Sequence, residues 1–208
     1  MFKSFNKEIV IFTGNKIENN SYLLIKNKNC IIIDPSWYSK ELDKYIRDNG
    51  LSLKGIILTH GHYDHIAECE YLLNKYKTFA YVNSLEKEVF ESYNMASSFN
   101  VNNFKPPKNT KYFNESNVNI DNFNLEIIQT PGHTCGGICI KYKNYLFTGD
   151  TIFANSIGRM DLPTGNPRQL LNSISIIKNM NKDLLIFPGH DKFGINLNEL
   201  VKTNPYIK

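Results

Sequence analysis

The chain has 208 residues, of which 41% are hydrophobic and 21% charged, and 24 lysines and arginines against 20 aspartates and glutamates leave a net charge of +4. That composition excludes an intrinsically disordered chain, and the length suits one complete core, so residues 1–208 are expected to form a single domain. The apolar runs at 31–33 and 56–58 fall far short of the roughly 20 residues a membrane span requires.

In chain order, short apolar segments at 8–12, 21–25 and 30–33, separated by turn residues, predict three strands. Residues 39–47 carry apolar side chains at helical spacing and stop at Asn49-Gly50, and 55–58 follows as a buried strand. A helix is expected over 64–76, a strand over 78–82 and a helix over 84–93. The Asn-, Lys- and Pro-rich stretch 96–117 reads as a long loop. Strands are then predicted at 125–129, 138–142, 145–147 and 184–187, with helices at 167–180 and near 197–201. Strands and helices mix throughout, with no internal repeat and no linker, which points to an α/β (α+β) protein.

Several function classes drop out early. Cys30, Cys69, Cys135 and Cys139 are too few and too scattered for a disulfide framework, and none form Cys-x-x-Cys, so reduced thiols are expected. The lysines are dispersed, without the basic, aromatic-interleaved cluster of a nucleic-acid surface. Glu8 precedes the first apolar run, and no small-residue cleavage site follows, so the expectation is a cytoplasmic protein with no membrane and no obligate protein partner.

The five histidines all lie beside turn or acidic residues. Three fall in Thr59-His60-Gly61-His62-Tyr63-Asp64-His65, directly after the strand at 55–58. If extended backbone persists there, His60 and His62 project to one side, and the turn into the following helix aims Asp64 and His65 at a neighbouring point. His133 follows Thr130-Pro131-Gly132 and His190 follows Pro188-Gly189, each after a strand, while Asp150 ends Thr148-Gly149-Asp150 in the same context. Imidazole and carboxylate are ligands for zinc, iron and manganese, and the seven donors His60, His62, Asp64, His65, His133, Asp150 and His190 suffice for two ions. Arg159, one of three arginines, lies on a Gly-flanked loop and either grips a substrate carboxylate through its planar fork or pairs with Asp161. Asp34 suits a turn or a hydrogen bond behind the ligands before a metal ligand, Cys135 a packed neutral thiol before a reactive or weakly ligating one, and Tyr63 either packing or a place beside the substrate.

The order His60-x-His62-x-Asp64-His65, His133, Asp150, His190 resembles the metallo-β-lactamase-fold superfamily over nearly the whole chain. His62 stands where the superfamily's flavodiiron proteins have Glu, and Asp150 where the true lactamases have Cys or Ser. Gly158-Arg159-Met160-Asp161-Leu162-Pro163-x-Gly165 and Asn204-Pro205-Tyr206 are similar to the short, single-domain glyoxalase II-like branch. Two positions depart from the pattern: Ala67-Glu68 replaces a usual Gly-Gly pair, and Cys135 stands where Pro or Ser is common.

The resemblance implies a four-layer αββα sandwich with metals at the strand ends. It implies that His60, His62 and His133 hold one ion, that Asp64, His65 and His190 hold the second, and that Asp150 bridges them. It further implies hydrolysis of a thioester such as S-lactoylglutathione by a metal-bridging hydroxide, with zinc first among zinc, iron and manganese and with Asp64 as the catalytic residue that orients the hydroxide or accepts its proton. The chain to Lys208 carries no counterpart of the helical region that contacts glutathione in two-domain relatives, which leaves the thiol open. The same motif also serves persulfide dioxygenases, with a single iron on the positions of His60, His133 and Asp150, and lactone or other ester hydrolases.

Overall fold

A computed structural model describes residues 2–14, 18–91 and 106–207. Two sheets face one another. The first, in the order β1-β2-β3-β4-β5-β6-β7, comprises β1 (Phe2–Ser4), β2 (Ile9–Phe12), β3 (Ser21–Lys26), β4 (Asn29–Ile33), β5 (Ser52–Ile57), β6 (Ala80–Asn83) and β7 (Thr110–Phe113). The second runs β13-β12-β11-β10-β9-β8 through β8 (Asn117–Ile120), β9 (Phe123–Gln129), β10 (Ile138–Tyr142), β11 (Tyr145–Gly149), β12 (Leu185–Pro188) and β13 (Ile195–Asn196). β1 to β4 pair antiparallel and β4 to β7 parallel; in the second sheet the β11–β12 pair is parallel and the others antiparallel.

The central strands read as unbroken apolar runs because both of their faces are buried. In β2, Ile9 and Ile11 enter the core between the sheets, where they meet Phe123, Ile140 and Phe187, while Val10 and Phe12 face the opposite way. β4 divides likewise, Ile31 and Ile33 inward, Cys30 and Ile32 outward. The outward residues are covered by α1 (Ser39–Asp48) through Leu42 and Ile46 and by α3 (Cys69–Tyr76) through Leu72 and Leu73. On the far side, Cys139, Leu146 and Ile186 are covered by α5 (Pro167–Lys178) and α6 (Leu197–Thr203). The spacing of Leu170, Ile174 and Ile177 supplies the buried stripe of α5, whose start is set by the Asn166 side chain accepting from the Gln169 N–H and by Pro167 in the first turn. These are the four layers of an αββα sandwich. No helix among the described residues is long and apolar enough to cross a membrane.

Three expectations need correction. The helix expected over 64–76 is two helices, α2 (Tyr63–Ile66) and α3. The His65 carbonyl accepts from the Ser36 N–H and the Glu68 N–H donates to the Ser36 carbonyl, so backbone groups that would continue the helix are spent on the loop after β4. The Glu68 carboxylate also accepts from the Ser39 N–H and hydroxyl at the start of α1, a role for the Glu that replaces the second small residue. The stretch 96–117 is not wholly a loop: 92–105 lie outside the described residues, but β7 occupies Thr110–Phe113 and β8 begins at Asn117. Finally, β1 and β13 are short strands that the apolar pattern does not predict. The helix expected over 84–93 is α4 (Glu86–Glu91) as far as the described residues go.

Candidate metal centre

Every candidate donor leaves the carboxyl end of a strand or the loop that follows it. Asp34 follows β4, His60 to His65 follow β5, His133 follows β9, Asp150 follows β11 and His190 follows β12. Neighbouring strand ends in the two facing sheets therefore deliver residues more than 100 positions apart to one point, the usual ligand position in open α/β sheets.

All seven donors arrive. His60, His62 and His133 form one buried group and Asp64, His65 and His190 a second, with the donor atoms of each group within 4.8 Å of one another. His62 Nδ1 and His133 Nε2 face each other at 2.8 Å, and the ring centroids of His60 lie 4.6 Å from His62 and 4.9 Å from His133. Backbone at His62 is extended (φ −67°, ψ 143°), which is why His60 and His62 share a side. In the second group, Asp64 Oδ2 is 3.3 Å from His190 Nε2 and 3.7 Å from His65 Nε2. Asp150 lies between the groups: its Oδ2 is 3.5 Å from His133 Nε2 and 3.4 Å from His190 Nε2, and its Oδ1 is 3.3 Å from His65 Nε2. Gly189 makes room for that carboxylate, since a Cβ there would lie 2.3 Å from Asp150 Oδ1.

Hydrogen bonds behind the donors settle which ring nitrogens face the centre. Asp34 accepts from the Thr59 N–H at 2.8 Å, from the Thr59 hydroxyl at 2.5 Å and from His65 Nδ1 at 2.9 Å. Because the Thr59 hydroxyl proton goes to Asp34, its oxygen accepts from His60 Nδ1 at 3.0 Å. One carboxylate thus directs the Nε2 lone pairs of both His60 and His65 inward. His133 Nδ1 donates to the Arg159 carbonyl at 2.7 Å, which turns its Nε2 inward as well. The Arg159 loop contributes through its backbone here; the guanidinium holds Asp161 through Nε and Nη2 at 2.8 and 2.7 Å, exposed to solvent. Gly158 is required beneath it, because a Cβ would sit 1.8 Å from the Asp150 carbonyl oxygen. Asn204 secures the same region, its amide donating to the carbonyls of Phe153 and Ser156.

The donor set fits divalent cations. His60 Nε2 is buried, faces the centre and has no hydrogen-bond partner, a costly arrangement unless a ligand takes its lone pair. Protonation follows the same division. Burial holds His60, His62 and His133 below the usual histidine range, as the neutral imidazoles that bind metals. Burial acts the same way on His65 and His190, but Asp150 and Asp64 outweigh it and raise both, His190 to about 10. Asp64 is conversely held down to about 2: burial raises it, and His65 and His190 more than offset that. Protons thus neutralise the acidic half of the centre in the absence of a cation.

Two contributors escape sequence reasoning. Asn19 is buried, with its amide donating to Asp64 Oδ2 at 3.2 Å and lying 3.4 Å from His190 Nε2; an Asn in an Asn-rich chain carries no signal. Glu86, on α4, is buried behind the first group, although an acid in the run Glu86-Lys87-Glu88 reads as a solvated one. Tyr63 packs edge-on against Trp37, and the Cys135 thiol, raised by burial, donates to the Leu85 carbonyl as a neutral group.

Comparison with known proteins agrees with this geometry. The family model of the metallo-β-lactamase superfamily matches residues 15–190. A probable metallo-hydrolase of Methanocaldococcus jannaschii, MJ0888, is 39% identical over 89% of this chain and 94% of its own length. The hydroxyacylglutathione hydrolase GloC of Haemophilus influenzae is 32% identical over 97% of this chain and 98% of its own. The crystal structure of TTHA1623 in a di-iron-bound form superposes with a TM-score of 0.84 at 26% identity, covering 94% of this chain and 98% of that one. The chain therefore belongs to the metallo-β-lactamase superfamily, as a metallo-hydrolase built on its αββα sandwich.

Proposed function

We propose that the centre holds two divalent cations, zinc before iron or manganese, and hydrolyses a small thioester of the S-lactoylglutathione class. The observation that carries this reading is the position of Asp150, whose carboxylate stands between two three-residue donor groups. His60, His62 and His133 would hold one ion, Asp64, His65 and His190 the other, with Asp150 shared. When bound, a pair of such cations lowers the pKa of water toward neutrality and polarises an ester or thioester carbonyl. The choice of thioester is supported by the hydroxyacylglutathione hydrolase named among the relatives, which matches nearly end to end.

The chain's own groups have separable tasks. Asp34, through Thr59 and directly, keeps His60 and His65 in the tautomer that offers Nε2. Asp64 would orient the attacking water or accept its proton, and Asn19 donates to its Oδ2. Arg159, on the loop whose backbone supports His133, would meet a substrate carboxylate by exchanging Asp161 for it. The protein would act in the cytoplasm as a single domain on a small molecule.

Elemental analysis of the purified protein, joined to an assay of S-lactoylglutathione hydrolysis, tests the reading. Two zinc ions per chain and thioester cleavage are expected. One iron per chain, with oxygen uptake on glutathione persulfide and no thioester cleavage, would replace it with a dioxygenase.

A further inference from the structure

Glu86 comes from α4, which supplies none of the seven donors, yet its carboxylate reaches the backs of both loops that carry the first donor group. Oε2 accepts from the Gly61 N–H at 2.5 Å, and Gly61 lies between His60 and His62. Oε1 accepts from the Thr134 hydroxyl at 2.6 Å and from the Gly136 N–H at 3.0 Å, immediately after His133. The side chain is fully buried. The loops are shaped to receive it: a Cβ on Gly61 would lie 2.8 Å from Glu86 Oε2 and 2.7 Å from the Phe90 ring, and one on Gly136 would lie 2.8 Å from the Glu86 backbone nitrogen. All three partners are donors, so an acceptor-only carboxylate matches them and an amide of the same shape does not. Burial pushes the Glu86 carboxyl up, to about 7, and the bonds from Thr134, Gly61 and Gly136 pull the other way. A buried carboxylate that offsets its own desolvation only by joining two loops is the kind of group whose removal shifts the loops apart.

We infer that Glu86 is a positioning residue for the His60, His62 and His133 group: it sets the spacing at which His62 Nδ1 meets His133 Nε2, and its loss costs the protein the ion of that group selectively. The inference rests on the two-cation reading above. The second group is supported by Asn19 and by Asp34, which through Thr59 also braces His60, and it does not touch Glu86 through these bonds.

The test is a zinc titration of the metal-free full chain, wild type and Glu86→Gln, followed by calorimetry and by the histidine ring resonances in NMR. In the wild type both groups fill at comparable free zinc. In Glu86→Gln the rings of His65 and His190 are expected to shift as before, whereas those of His60, His62 and His133 respond only at about 10- to 100-fold higher free zinc. Thr134→Val, which removes a single donor, is expected to give a smaller loss confined to the same group, and it keeps the question open to measurement should the first variant fail to fold. Loss of negative charge alone would weaken both groups, and the weakening would fade with added salt. Equal weakening of the two groups, or unchanged affinity in both variants with a wild type that binds two ions, overturns the inference and leaves the proposed function standing. A wild type that binds no second ion removes the two-cation reading itself.

Discussion

The space left for the Asp150 carboxylate is set at Gly189, and Gly189→Ala probes it with one methyl group. A Cβ there would lie 2.3 Å from Asp150 Oδ1 and 2.6 Å from His65 Cε1. Ordinary carbon–oxygen contacts begin at about 3.3 Å, so the Asp150 carboxylate must retreat by about 1 Å. Its present distances to His65, His133 and His190 are 3.3, 3.5 and 3.4 Å, and a shift of that size takes it off the line between the two donor groups. Misplacement of about 1 Å costs on the order of 100-fold in rate, equivalent to about 2.7 kcal/mol of transition-state stabilisation. Overpacking adds about 1–3 kcal/mol of lost stability. The assay is kcat/KM for S-lactoylglutathione with zinc in excess, beside metal content and thermal midpoint. Gly50→Ala is the control: Gly50 has φ +58° and a Cβ there would have nothing within 4 Å, so the change should cost stability without touching turnover. Turnover of Gly189→Ala within threefold of wild type, with metal content unchanged, would refute the claim that Asp150 must occupy its present place.

Three further outcomes are expected. In metal-free protein the His190 contribution to stability, from a pKa raised to about 10 over an ordinary 6.5, is complete below pH 6.5 and lost as pH climbs toward 10. That of Asp64, lowered to about 2 from 3.8, is complete above pH 3.8 and lost as pH falls toward 2. His60, His62 and His133, held below the usual range, act the other way and cost stability as pH falls below 6.5, so metal-free protein should be most stable near pH 6.5, losing up to about 1.4 kcal/mol per pH unit as His190 titrates on the alkaline side. Melts in chelator that show a rising midpoint from pH 6.5 to 9 would contradict this. Asp34→Asn sets an amide against His65 Nδ1 or Thr59 and should weaken zinc binding about 10- to 100-fold, read by competition with a zinc-binding dye. Arg159→Ala removes only an exposed ion pair and should cost under about 1 kcal/mol of stability; if Arg159 grips a substrate carboxylate, KM rises about tenfold at unchanged kcat, and an unchanged KM confines it to Asp161.

Much of the centre is legible in the chain because its donors are local events. A histidine or aspartate after an apolar run and a Gly turn is a strand end whatever the rest of the fold does, and such ends carry His60, His62, His133, Asp150 and His190. The same reasoning anticipates β2 and β4, where burial on both faces requires the apolar runs at 9–12 and 30–33. Where it misses, hydrogen bonds from distant segments overrule local preference. Residues 64–76 have the pattern of one helix, and Ser36, some 30 positions earlier, divides it. Thr110–Phe113 has exposed Lys111 and Tyr112 and weak periodicity, and becomes a strand because β6 offers it an open edge.

From the sequence alone come the candidate donor types, their order and the layered α/β class, since these depend on residue chemistry and short-range periodicity. Only the tertiary structure decided the rest: that Asp34 orients two histidines at once, that Asn19 reaches Asp64, and that Glu86 ties two loops from a helix with no donor of its own. Those are contacts between single polar atoms 25 to 50 residues apart, and hydrophobic patterning along the chain contains no record of them.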